Sequence, residues 1–261
     1  KKIYAASENI PLTLLKKMLT QVKSILNVVD SDGTKVGYYK PNSLANLQNL
    51  SSEAQKAIDN DDTSAHSYEE WIQLLEEEVA LLEANEMAKV PIYESSYYAL
   101  SNLRYNNTAL ERTSSGLKVS TSRTPAEDVD VHWIFVPTGT DNQYYLQHIE
   151  SGMYISAATE GARVKAETTA TDKAIAFNLV EVSAGKFLIQ NSDATNTYLA
   201  CDASKNVIGS KDVANTTSHW NITLVVDHHS AAIKAQLEML LSMVSNCQHF
   251  LLTMKTTINT L

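Results

Sequence analysis

The chain has 261 residues and a mass of 28.8 kDa, a length that favours two domains over one. Its 44% hydrophobic, 20% charged and 7% aromatic content is that of a globular protein and excludes disordered and collagen-like classes. A formal net charge of −9, with no basic stripe, argues against binding to a nucleic-acid backbone or an anionic membrane surface.

A chain that opens on Lys1-Lys2-Ile3-Tyr4 is expected to be a processed product or a piece of something larger, in which case any signal peptide has been lost. No apolar run approaches the roughly 18 residues that span a bilayer, so no membrane insertion is expected. Residues 1–91 read as helices. Leu12, Leu15, Leu19, Val22, Ile25 and Val29 recur at spacings of three and four, one helical face. Pro11 sits where a first-turn proline is tolerated, and Asp30-Ser31-Asp32-Gly33 is a turn-rich stop. Leu44, Leu47, Leu50, Ala54, Ala57 and Ile58 predict a second helix that ends at Asn60-Asp61-Asp62. Ser67 followed three residues later by Glu70 is a capping box, and Trp71, Leu74, Leu75, Val79, Leu81 and Leu82 continue the third helix. Three such helices with short links predict a small antiparallel bundle.

From residue 92 to residue 226 the pattern changes to period two, with short apolar runs bounded by Gly, Asn, Asp, Ser and Thr, which is strand composition. The region repeats itself. Tyr97-Tyr98-Ala99-Leu100 is echoed by Tyr144-Tyr145-Leu146-Gln147 and by Lys186-Phe187-Leu188-Ile189. Ala109-Leu110 is echoed by Tyr154-Ile155 and Tyr198-Leu199, Val119 by Val164 and Val207, and Trp133 by Phe177 and Trp220. Each series advances by about 42 to 47 residues, the span of one supersecondary unit. Three units of four strands predict a closed, threefold all-β arrangement without exposed edges.

Residues 227–261 return to the helical period, with Ile233, Leu237, Leu240, Leu241, Val244, Leu251, Leu252, Met254 and Ile258 forming a long apolar stripe. So much apolar surface must pack on something. The helix is expected either to fold onto the first bundle or to begin another.

The three-unit region resembles the β-trefoil of ricin-B-like lectin domains. The opening aromatics Tyr98, Tyr145 and Phe187 and the closing aromatics Trp133, Phe177 and Trp220 carry the resemblance. The glutamine of the family's closing Gln-x-Trp pattern is replaced by Val131, Ile175 and Ser218. The family's sugar-binding aspartate corresponds to Glu111, Ser156 and Ala200, and Asp202 follows two residues after the last of these. The resemblance therefore implies a sugar-binding fold in which Glu111 and Asp202 are the candidate carboxylates. Residues 1–91 are similar to FIVAR-like three-helix modules of secreted and surface-attached bacterial proteins, through Leu15 and Leu19, Gly37-Tyr38, Leu44 and Leu47, Ala54, Ala57, Ile58 and Asn60, and Leu74 and Leu75. That similarity implies a non-catalytic segment of a larger exported protein.

Other motifs carry less chemistry. Asp30-x-Asp32-Gly33 begins like a calcium loop, but its twelfth position is Pro41 where a glutamate is needed, so it reads as a turn. His228-His229 and the pair His148 and Glu150 lack metal-ligand spacing. Cys201 and Cys247 form neither a disulfide framework nor a zinc motif. No nucleophile elbow or phosphate-binding glycine loop occurs. No catalytic residue, metal or cofactor is expected. Among aromatics beside turn-forming residues (Tyr38, Tyr39, Tyr105, Tyr144), a tyrosine can stack on a sugar while its hydroxyl hydrogen-bonds. Tyr105 is the candidate taken with Glu111 and Asp202. The sequence thus predicts an α+β multidomain chain: a three-helix bundle, a β-trefoil and a long C-terminal helix. Its expected partner is a glycan or a protein, and its expected location is secreted or at the cell surface. The alternative is a spacer or protein-interaction module. A trefoil protease inhibitor presenting Arg123 within Ser122-Arg123-Thr124-Pro125 is a third reading.

Overall fold

A computed structural model describes residues 10–105, 107–193 and 196–259, with side chains up to residue 245 of the last helix. Three helices come first: α1 (Ile10–Leu26), α2 (Ala45–Asn60) and α3 (Tyr68–Ala84). The predicted stripes pack on one another, with Leu15, Leu19, Val22, Leu47, Ala54, Trp71, Leu75 and Leu82 buried in one cluster. The capping box forms as expected: Ser67 Oγ accepts from the Glu70 N–H at 3.2 Å, and the Glu70 carboxylate accepts from the Ser67 N–H at 2.7 Å. Asp61, in the left-handed region at φ 47°, ends α2. Two expected core residues are misplaced. Val29 lies beyond the end of α1 and is exposed. Leu81 is exposed, because Leu75 and Leu82 sit one helical face away and fill the interface.

Twelve strands follow: β1 (Tyr97–Asn102), β2 (Ala109–Thr113), β3 (Gly116–Ser120), β4 (Trp133–Pro137), β5 (Gln143–His148), β6 (Tyr154–Ala157), β7 (Lys165–Thr168), β8 (Ala176–Ser183), β9 (Lys186–Asn191), β10 (Tyr198–Cys201), β11 (Val207–Ser210) and β12 (Trp220–Val226). The pairs β1–β4, β4–β5, β5–β8, β8–β9, β9–β12 and β12–β1 close a six-stranded ring. The hairpins β2–β3, β6–β7 and β10–β11 cap one end of it. Leu117 N–H donates to Val164 O and Val164 N–H to Val207 O, both at 2.8 Å, which laces the hairpins together around the pseudo-threefold axis. A closed six-stranded barrel capped by three hairpins is the β-trefoil arrangement.

Pairing fixes which residues are equivalent. Tyr98 faces Trp133, Tyr144 faces Phe177 and Phe187 faces Trp220. The second opening aromatic is therefore Tyr144 and not Tyr145, a slip of one residue that transfers a side chain to the other face of the sheet. Tyr145 instead meets Tyr154 edge-on at 6.4 Å. The column Leu110, Ile155 and Leu199 is fully buried, as the repeat predicts. Hairpin register makes Leu117, rather than Val119, the partner of Val164 and Val207: Leu110 lies opposite Val119, while Ile155 lies opposite Ala166 and Leu199 opposite Gly209. Trp133, Phe177 and Trp220 are fully buried core. The two indoles donate to the equivalent carbonyls of Leu110 (2.9 Å) and Leu199 (2.8 Å).

The α1–α2 link joins bundle to barrel. Val36 N–H donates to Ile222 O at 3.0 Å and Leu224 N–H to Thr34 O at 2.7 Å, which adds the link to the β12 edge. Val36 and Val90 are buried in the barrel cluster. Lys89 pairs with Glu181 at 3.2 Å. Gly185, at φ +68°, lets the Tyr38 ring lie directly on its backbone, where a Cβ would collide with the ring. Tyr38 thus serves this joint, while Tyr39 is buried in the bundle cluster. The calcium-like Asp30 anchors the same link: its buried carboxylate accepts from the backbone N–H groups of Asp32 (3.4 Å), Thr34 and Lys35 (2.6 Å). Burial works to raise its pKa, but these donors outweigh burial and hold it below the usual carboxylate value.

The last helix, α4 (His228–Asn259), meets the barrel through its first turn. His229 stacks on Tyr93 at 4.6 Å and His228 meets Tyr97 edge-on at 4.7 Å. From Ile233 through Val244 its apolar side chains are exposed. Among the described residues, no helix is long and apolar enough to cross a membrane.

Candidate functional site

The opening strand of each repeat ends in a buried polar residue: Asn102, His148 and Asn191. Each ties its strand to neighbouring backbone. Asn102 Nδ2 donates to Thr217 O at 2.7 Å, His148 Nε2 to Asp130 O at 2.8 Å, and Asn191 Nδ2 to Ala158 O at 3.5 Å. Thr217 and Asp130 occupy the same middle position of the 3₁₀ turns Thr216–Ser218 and Val129–Val131. These residues stabilise the barrel end and shape the clefts beside it.

Beside Asn102 lies a cleft of about 670 Å³, walled by Tyr105, Asn107, Thr108, Arg123, Pro125 and Asn221 and rimmed by Ser101, Thr121 and Thr124. It sits where the loop after β1, the loop after β3 and strand β12 meet. Its lining is mostly neutral amide and hydroxyl, with one aromatic ring and one guanidinium. The Oδ1 of Asn221 is buried and, among the described residues, has no hydrogen-bond partner. A related cleft of about 460 Å³ uses the equivalent Asn191 and Thr197 with Asp193, Thr159, Glu160 and Lys211. The second repeat has a shorter loop between β5 and β6 (residues 149–153), and His148 is engaged there by Ser151.

The three candidate residues surround the first cleft in different ways. Tyr105 forms its wall. The phenol O–H donates to Asp202 O at 2.6 Å, and Lys205 and Arg104 each lie 5.9 Å from the ring centroid. Asp202 sits behind that wall. Its carboxylate accepts from Ser204 N–H (2.8 Å), Asn206 N–H (2.8 Å) and Asn206 Nδ2 (3.0 Å), which closes the β10–β11 turn and leaves the side chain occupied. Glu111 is buried and doubly paired, with Lys118 at 2.9 Å and Arg123 at 3.1 Å. The expectation of a carboxylate presented to ligand is not what the geometry delivers. Glu111 reaches the cleft only through Arg123, whose second partner is Asp130 at 2.6 Å. Hydrogen bonding to Glu111, then the charge of Asp130, raises the Arg123 pKa further. The same two carboxylates engage the Arg123 of the inhibitor-loop reading, whose side chain stays 38% exposed.

Sequence reasoning missed Asn221 and Asn102. Both follow from register, since Asn221 is next to the closing Trp220 and Asn102 ends the opening strand. Among the described residues, no group of three His, Cys, Asp or Glu side chains converges to hold a metal. Cys201 is buried, and burial, then the charge of Asp202, pushes its thiol up to about 12, so it is not a nucleophile.

No family model matches the chain. No curated protein matches it either. Solved structures do. The Rhizoctonia solani agglutinin shares 22% identity over 51% of this chain and 99% of that one, with a TM-score of 0.42. A designed threefold-symmetric protein, ThreeFoil, shares 20% over 50% and 98%, with a TM-score of 0.41. A Polyporus squamosus lectin, bound to a sialylated trisaccharide epitope, shares 18% over 50% of this chain, with a TM-score of 0.41. The match spans about half (49%) of that lectin's length.

Proposed function

We propose that this chain is a non-catalytic carbohydrate-binding module of a larger secreted or surface-attached bacterial protein. The observation that carries the reading is the cleft beside Asn102. A sugar offers hydroxyls, which are donors and acceptors at once, and an apolar ring face. The cleft supplies the complement: a tyrosine ring for the apolar face, and neutral amides and hydroxyls for the edges. Shallow clefts of this kind bind weakly one at a time, and repetition within one chain raises the apparent affinity.

Within this reading Tyr105 touches the sugar. Arg123 supplies cationic donors, while Glu111 and Asp202 are positioning residues that hold Arg123 and Tyr105. The test is a glycan array on the full chain, followed by titration of the best ligand. Tyr105→Ala should weaken binding about two- to thirteenfold, since an aromatic-face contact contributes roughly 0.5–1.5 kcal/mol. Retention by no glycan at high array density would overturn the proposal.

The second reading, a spacer or protein-interaction module without sugar binding, is favoured by one feature. Glu111, the carboxylate that the lectin resemblance assigns to sugar, is saturated by Lys118 and Arg123.

A further inference from the structure

Among the described residues, the apolar face of α4 from Ile233 to Val244 has no partner. Ile233, Leu237, Leu240 and Val244 are 43%, 54%, 53% and 55% exposed. The first bundle offers them no seat, because the inward faces of α1, α2 and α3 are already buried on one another. The spacing of the stripe is regular. Apolar residues or cysteine occupy positions 233, 237, 240, 244, 247, 251, 254 and 258, an unbroken alternation of four and three. That is a heptad repeat, which keeps one seam facing a partner only if the partner carries the same period. A partner helix of the same period meets that requirement.

We infer that the occupant of this face is the α4 helix of a second copy of this chain, forming a coiled-coil homodimer. The area suffices. A buried aliphatic side chain removes roughly 60–120 Å² from water, and eight positions on each of two helices would therefore bury about 1,000–1,900 Å², against the roughly 1,000 Å² that a specific interface needs. Charge does not oppose it. Lys234, Glu238 and Lys255 are the Asp, Glu, Lys and Arg complement of α4, none of them falls on the seam, and the acidic excess lies elsewhere in the chain. Geometry permits it too. The 32 residues of α4 extend about 48 Å at 1.5 Å per residue, and the stripe begins beyond the first turn, where the barrel contacts end.

Sedimentation velocity of the full chain, from micromolar to sub-millimolar concentration, tests the inference. The expected result is a concentration-dependent species of twice the 28.8 kDa chain mass. Two seam substitutions together, Leu240→Glu and Val244→Glu, should weaken association on the order of 100-fold, whereas Ser242→Glu, outside the seam, should leave it unchanged. Neither change touches the barrel or bundle core, so near-ultraviolet circular dichroism of all variants should coincide and exclude misfolding. A wild-type chain that stays monomeric throughout overturns the inference, as does a dimer that survives the paired substitution.

Discussion

His148 gives the sharpest test of the threefold reading, because the other two repeats hold asparagine at its place. Its ring sits neutral in a buried site. Nε2–H donates to Asp130 O at 2.8 Å, Nδ1 contacts Ser151 Oγ at 3.0 Å, and the ring edge meets Trp133 at 5.1 Å. Replacing His148 by Ala leaves the Asp130 carbonyl unsatisfied, a loss of about 1–3 kcal/mol, and removes a ring contact of roughly 0.5–1.5 kcal/mol. The sum is about 1.5–4.5 kcal/mol. Replacing it by Asn restores the amide-to-carbonyl bond that Asn102 makes at 2.7 Å and should cost no more than about 1 kcal/mol. The two variants also differ from wild type in pH response. Burial lowers the His148 pKa, and the Asp130 carbonyl opposes that shift only in part. The unfolded chain therefore takes up the proton first. The contribution of His148 is full above the ordinary histidine value of about 6.5 and is lost as pH falls through the lower folded value. Urea unfolding at about pH 7.5 and about pH 5 reads both effects, and His148→Asn should show the smaller change between them. Equal destabilisation by Asn and Ala, or an undiminished pH change in His148→Asn, would refute the equivalence of the three positions.

Further outcomes follow from single contacts. Trp133→Phe and Trp220→Phe copy the Phe177 of the second repeat and lose one buried hydrogen bond each. Each should cost about 1–2 kcal/mol in denaturant unfolding, and the two losses should add. Gly185→Ala places a methyl group in the Tyr38 ring at a positive φ. It should destabilise by about 1–3 kcal/mol, and Tyr38→Ala in the same chain should recover the clash but not the backbone strain, as a double-mutant cycle would show. Asp30 is held below its ordinary pKa by backbone donors, so its contribution is present above about pH 3.9 and lost on further acidification. Acid unfolding of Asp30→Asn should accordingly show a shallower decline.

Much of the molecule was legible as pattern. Spacings of three and four placed α1 to α3, and Ser67 with Glu70 marked where α3 begins, because helix stops, starts and faces are local properties of the chain. The threefold repeat was legible because each unit must bury the same column, as Leu110, Ile155 and Leu199 do. Residue columns alone could not choose between Tyr144 and Tyr145, since both are tyrosines and only the hydrogen-bonded pairing of Tyr144 with Phe177 decides the face. The cleft was less legible still. Tyr105 and Asp202 are 97 residues apart in sequence, and Asn221 comes from the last strand. Glu111 carried a carboxylate in register, but whether that charge faces ligand or a neighbouring guanidinium depends on where the loop after β3 lays Arg123. Periodicity records which side chains leave water. Their partners are settled only when strands far apart in the chain close into one barrel, because hydrogen bonds and ion pairs act over a few ångströms of space and not along the sequence.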